Sequence, residues 1–198
     1  MALLVVPFKR YIRAALRMTL VDFDPWQTSN SAYGEWWRES KTHVPQVNKD
    51  VGAAALRKDD GRSVLQRKLD AYALKERVVA GDGNCQFRAL ADQVYNDSEE
   101  HAIVRRDVVA QLSQHPDRYC GYVPGGYENY VREMARDGCW GDHITLQAFA
   151  DRYGMTVYLV TSYDDHKAIE VIPEKVRSER AAWLAFWAEI HYNSVVPK

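Results

Sequence analysis

Gly81-Asp82-Gly83-Asn84-Cys85-Gln86-Phe87-Arg88-Ala89-Leu90 is the stretch from which the rest of the chain can be read. Two glycines around one aspartate mark a tight turn that needs unusual backbone angles. Directly after it, Cys85, Ala89, Leu90, Gln93 and Val94 have helical spacing, which places Cys85 at or near a helix N-terminus. A cysteine nucleophile works as thiolate, and the unpaired N–H groups and dipole of a helix N-terminus favour that anion. The same amides, with those of the turn at Gly83 and Asn84, can form a pocket for the oxyanion of a tetrahedral acyl intermediate. The plainer alternative is a buried cysteine in a Gly-Asp turn, and for an isolated cysteine that alternative usually wins. The glycines, Asp82 and Asn84 lower it without settling it.

Upstream, Ser63 is placed to cap a helix running through Leu65, Leu69, Tyr72 and Ala73, and residues 77–80 read as a short extended piece. Downstream, the spacing predicts helices over 99–114, 127–136 and 144–153, the last stopped by Gly154. Strands are expected at 155–161 and 168–172. Residues 183–192 alternate as one strand, with Leu184, Phe186, Ala188 and Ile190 on one face and Trp183, Ala185, Trp187, Glu189 and His191 on the other. Helices first and sheet mostly last makes the class α+β. Residues 1–60 differ in character. They carry Trp26, Trp36, Trp37, Pro7, Pro25 and Pro45 with little periodicity, and are expected to be an N-terminal extension to a domain over 61–198.

At 198 residues, with 46% hydrophobic and 27% charged, the chain suits one core-forming domain plus an extension. Lys and Arg total 26 against 27 Asp and Glu, a net charge of -1 that offers no broad attraction for a phosphate backbone, so nucleic acid is not an expected partner. The three cysteines, Cys85, Cys120 and Cys139, form no CxxC pair, which argues against a disulfide framework, a structural metal site and an oxidising compartment. The cytoplasm or nucleus is the expected location. The N-terminal MALLVVPF precedes its basic residues, the reverse of a secretory signal, and no segment reaches the roughly 18 apolar residues of a membrane span. A weak mitochondrial or membrane-surface role for that segment stays open.

A base for Cys85 is sought among six histidines. On a strand, His191 and Asn193 share a face, so the carboxamide can brace one ring nitrogen and leave the other for the thiol. His43 and His166 lie in polar turn-like stretches, and His101 and His115 in a helix and at its end. His143 is the serious rival, since it follows Trp140-Gly141-Asp142 and can share the cleft.

The run GDGNCQFRAL at 81–90, WGDHITLQAFA at 140–150 and FWAEIHYNS at 186–194 together resemble the ovarian-tumour (OTU) family of cysteine deubiquitinases, in that family's order and spacing. The likeness covers about 63–196, and within the family it is to the compact plant and fungal types. It implies a papain-like fold with a central sheet flanked by helical lobes. It also implies Cys85 as nucleophile, His191 as general base and Asn193 as the residue orienting the ring. Asp82 takes the family's acidic position and shapes the oxyanion loop; in some members it is counted among the catalytic residues. Gly138, Trp140 and Gly141 match the segment that lines the channel for ubiquitin's C-terminal tail. The implied partner is ubiquitin, polyubiquitin or a ubiquitin-like modifier, with no cofactor or metal, and a monomer is expected. A ubiquitin-binding module of the same fold, and a cysteine hydrolase or acyltransferase with another substrate, are the alternatives.

Overall fold

A computed structural model describes residues 61–163 and 168–198. The expected extension at 1–60, with its apolar start and its tryptophans, lies outside the described residues, as does most of the polar turn holding His166. Four longer helices, α1 (Arg62–Ala71), α2 (Cys85–Tyr95), α3 (His101–Gln114) and α6 (His143–Tyr153), are joined by the shorter α4 (Pro116–Tyr119) and α5 (Tyr127–Met134). The strands are β1 (Leu74–Arg77), β2 (Val157–Thr161), β3 (Ala168–Val171), β4 (Ala182–Trp187) and β5 (His191–Pro197). They form one sheet in the order β1-β5-β4-β2-β3, antiparallel except for β2 with β4.

Alternation along the strands sorts the core into two layers. Val157 and Leu159 of β2 with Ala182, Leu184 and Phe186 of β4 meet Phe87, Leu90, Val104, Val108, Leu112, Leu146 and Phe149 from the helical lobe. On the opposite face, Val160, Trp183, Ala185 and Val195 meet Leu65, Leu69 and Leu74, so α1 covers the back of the sheet. Leu65 and Leu69 are completely buried there, each stabilising the fold by about 2 kcal/mol.

Several boundaries differ from the sequence expectation for physical reasons. Helix α1 starts at Arg62, with Gly61 in the left-handed region at the cap position, so Ser63 falls inside the first turn. The first strand lies at Leu74–Arg77, earlier than 77–80, because its ladder pairs Leu74 with Pro197 and Arg77 with Ser194. The helix expected from 99 opens as a 3₁₀ turn, Ser98–Glu100, where the Asp97 side chain accepts from the Glu99 amide at 2.9 Å. Between the helices predicted at 99–114 and 127–136, residues 116–122 form short helical turns. Pro116 starts α4, where its missing N–H costs nothing, and the buried Tyr119 hydroxyl donates to Asp151 at 2.7 Å.

The largest correction concerns 183–192. This is a hairpin and not one strand: β4 ends at Trp187 and β5 begins at His191. The Ile190 amide donates to the Trp187 carbonyl at 3.0 Å, and Glu189 carries a φ of 59°. Register pairs Trp187 with His191 and Ala185 with Asn193. The loop preserves parity, so His191 and Asn193 keep the shared face that the alternation predicted.

Candidate active site

Helix α2 packs along β5, and the contact brings its first residue, Cys85, to the start of that strand. Gln93 stitches the two together. It donates to Ser194 Oγ at 2.7 Å and to the Val195 carbonyl at 2.9 Å, and accepts from the Trp183 amide at 2.9 Å. Cys85 and His191 thereby line one open cleft of about 570 Å³ with Trp140, Gly141, His143 and Glu189.

Cys85 is the first helical residue of α2, and the Asn84 side chain does not cap the amides beside it. Burial pushes the thiol up from its usual range, and the amides of Tyr192, Gln86 and Cys85 itself pull the other way without overcoming it. His191 is pushed down, first by burial; its bond to Asn193, the Val79 carbonyl and the Glu76 charge work against that. Both shifts favour the neutral thiol and the neutral imidazole in the resting site.

His191 Nε2 lies 3.0 Å from Asn193 Oδ1. That oxygen also accepts from the Val79 amide at 3.1 Å. A carboxamide oxygen only accepts, so the neutral ring carries its proton on Nε2 and leaves Nδ1 as the base. Gly81 runs past the same ring edge: a Cβ there would stand 4.0 Å from Nδ1.

The turn before Cys85 is braced from beneath. Asp82 Oδ1 accepts from the Asn84 amide at 3.0 Å, and Oδ2 takes Arg88 Nε at 3.0 Å and Nη2 at 2.7 Å. Burial alone raises the Asp82 carboxyl, but Arg88 and the Asn84 amide outweigh it and hold the group well below the usual carboxylate range. Asp82 thus shapes the turn. The Asn84 amide, expected with that of Gly83 to serve an oxyanion, is occupied by Asp82, while the amides of Tyr192, Gln86 and Cys85 are the ones that act on the sulfur.

Gly83 has a φ of 85°, and a Cβ on it would meet the Gly138 carbonyl oxygen at 2.2 Å. The turn is pressed against the 138–141 segment. Asn84, only 2% exposed, accepts from the Gly138 amide at 3.0 Å and from Arg105 Nη2 at 2.6 Å. Gly138 consequently sits behind the turn and is not among the residues lining the cleft, whereas Trp140 and Gly141 are.

Sequence reasoning missed two residues that assemble this wall. Arg105, 4% exposed, also donates to the carbonyls of Met134 at 2.9 Å and Cys139 at 2.8 Å, and its guanidinium lies 3.9 Å over the Phe87 ring. Gln86, 1% exposed, donates to the Asp142 carbonyl at 3.1 Å and accepts from Thr145 Oγ1 at 2.7 Å. A side chain on Gly141 would collide with it, its Cβ standing 2.2 Å from Gln86 Oε1. A glutamine after Cys85 and an arginine within a helix are residue types common at surfaces, so residue type alone marked neither. His143, the rival base, does share the cleft. Its neighbour Asp142 is spent on capping α6, accepting from the Ile144 and Thr145 amides at 2.9 and 3.0 Å and from the Tyr130 hydroxyl. Among the described residues no group of three His, Cys, Asp or Glu is placed to hold a metal ion, and no helix is long and apolar enough to cross a membrane.

Residues 80–194, from the Cys85 turn to just past Asn193, match the family described as OTU-like cysteine protease. The chain belongs to that family. Among relatives, OVARIAN TUMOR DOMAIN-containing deubiquitinating enzyme 12 of Arabidopsis thaliana is 47% identical over 156 residues, covering 77% of this chain and 69% of its own. Enzyme 9 of the same set is 45% identical over 156 residues, covering 79% of this chain and 45% of its own. The match spans 43% to 69% of the length of the Arabidopsis relatives in this set. A solved OTU domain in complex with ubiquitin superposes with a TM-score of 0.54 at 19% identity, covering 62% of this chain and 69% of that one, a likeness of fold. The OTU fold accounts for the mixed sheet carrying helices on one face and α1 on the other.

Proposed function

We propose that this OTU chain is a thiol-dependent deubiquitinase that hydrolyses the isopeptide bond between ubiquitin, or a ubiquitin-like modifier, and a lysine side chain. The observation that carries the reading is the meeting of Cys85, at an uncapped helix start, with a His191 whose Nε2 is tied to Asn193, in one cleft. The relatives named as deubiquitinating enzymes and the solved OTU–ubiquitin complex supply the substrate class.

With both groups neutral at rest, His191 Nδ1 takes the Cys85 proton as Sγ attacks the isopeptide carbonyl. The oxyanion so formed is stabilised by the amides at the start of α2. His191 then gives that proton to the departing lysine amine, leaving a thioester. Water attacks the thioester with His191 as base, and the thiol is restored as the carboxylate leaves. Trp140 walls the cleft and admits a tail without side chains, which suits a glycine-ended substrate. Asp82, Gly83 and Asn84 hold the turn that presents Cys85. Action as a single copy in a reducing compartment, cytoplasm or nucleus, belongs to the same reading.

Ubiquitin bearing a C-terminal electrophile tests it. The adduct is expected on Cys85, located by mass spectrometry, together with cleavage of at least one linkage in a di-ubiquitin panel. An adduct on Cys120 or Cys139, or none, overturns the reading.

A further inference from the structure

Behind the His191–Asn193 pair stands a carboxylate that the reaction as written does not use. Asn193 Nδ2 donates to Glu76 Oε1 at 2.9 Å. The same oxygen accepts from Arg62 Nη1 at 2.9 Å, and Arg62 Nη2 bonds the other oxygen. The Glu76 side chain is 7% exposed. Arg62 comes from the first turn of α1 and also lies 5.7 Å over the ring of Trp187, the cross-strand partner of His191. The carboxylate is thus built in from two elements, β1 and α1.

The two ends of a carboxamide have nearly the same shape, and only their neighbours decide which end faces a given group. Turning the Asn193 amide over would set its nitrogen against the Val79 N–H and its oxygen against the Glu76 carboxylate. Both contacts are repulsive. Glu76 and Val79 therefore hold Oδ1 toward the ring, and Oδ1 in turn dictates a proton on Nε2. The geometry points to Glu76 as a positioning residue of the catalytic apparatus: anchored by Arg62, its carboxylate orients the Asn193 amide, which sets the His191 tautomer that leaves Nδ1 free to take the Cys85 proton. The inference rests on the hydrolytic reading above. It also explains why an amide suits position 193, since a carboxylate there would face Glu76 at hydrogen-bond distance, like charge against like. On the cleft side, the titratable groups lining the same cleft are Cys85, Asp142, His143, Glu189 and Tyr192.

The test uses the full chain as wild type, Glu76→Ala, Glu76→Gln, Asn193→Asp and the double variant Glu76→Gln/Asn193→Asp. Two readouts are taken: kcat and KM on a fluorogenic ubiquitin C-terminal amide, and the ¹⁵N imidazole spectrum of His191 without substrate. Glu76→Ala should lower kcat about 10- to 100-fold, the worth of a hydrogen bond to a charged group, with KM unchanged. Its ring should lose the predominance of the Nε2–H form. Glu76→Gln keeps an acceptor for Asn193 Nδ2 and should retain most of the rate. Asn193→Asp should be impaired, and adding Glu76→Gln should restore it, because the new amide can donate to the new carboxylate. A Glu76→Ala protein with wild-type kcat and an unchanged imidazole spectrum, or a double variant no better than Asn193→Asp, would overturn the proposal. A wild-type protein inert toward ubiquitin, whose His191 spectrum still responds to Glu76→Ala, would refute the substrate reading and leave the positioning role standing.

Discussion

Burial drives the Cys85 thiol up and the His191 imidazole down, so the two reactive groups move apart in a direction that discourages a resting ion pair. The sign of the pH dependence follows. As pH falls, His191 gains its proton below the ordinary histidine value of 6.5, so the acid limb of kcat/KM should lie lower than an exposed histidine would place it. As pH rises, the free thiol ionises above the ordinary cysteine range. Alkylation of Cys85 by iodoacetamide should therefore climb steadily through neutral into alkaline pH. A rate already level at mildly acidic pH would reveal a preformed thiolate and contradict this account. Substitution separates the two histidines of the cleft. His191→Ala should lower kcat by at least about 100-fold, the lower range for a general base, while His143→Ala keeps most of the rate because its neighbour Asp142 is committed to the α6 cap. Equal losses in two folded variants, judged by circular dichroism, would reopen the choice of base.

Between elements, the decisive contact is backbone on backbone, where the Cys85 turn meets the 138–141 segment. Gly83→Ala combines a left-handed φ of 85° with a Cβ 2.2 Å from the Gly138 oxygen, and neither atom can swing away as a flexible side chain would. It should destabilise the protein by about 2–3 kcal/mol, read as a lowered Tm, and displace Cys85 with a loss of kcat. Gly81→Ala is the control. Its Cβ meets His191 at 3.9 Å, ordinary van der Waals contact, and Tm should hardly change. Equal Tm values for the two variants would show that the turn is not pinned as described. The hairpin at 187–191 carries a lesson of the same scale. No Gly, Pro or Asn interrupts 183–192, and the reversal falls on Glu189, so the apolar alternation runs straight through a turn that only cross-strand pairing with Phe186 and Trp187 reveals.

For the whole molecule, the described residues carry a core layer on each side of the sheet, and a chain starting at Gly52 should fold and keep labelling at Cys85 with the ubiquitin electrophile, with some loss of substrate affinity. The relatives share 77–79% of the chain, more than 61–198 contains, so part of that shared stretch precedes Gly61. Complete loss of labelling in a folded truncation would place part of the site before Gly52. The sequence alone determined the class, the order of helices and strands, the cysteine at a helix start and the His191–Asn193 pair, because each rests on local periodicity or on residues adjacent in the chain. Tertiary structure alone decided the assembly around them. That Asn84 holds Gly138 and Arg105 holds Asn84 and Cys139, that Gln86 packs against Gly141, and that Glu76 with Arg62 stands behind Asn193 are pairings between residues 14 to 117 positions apart. The hydrogen bonds that orient a buried polar group come from whichever elements pack against it, and no local pattern records which those are.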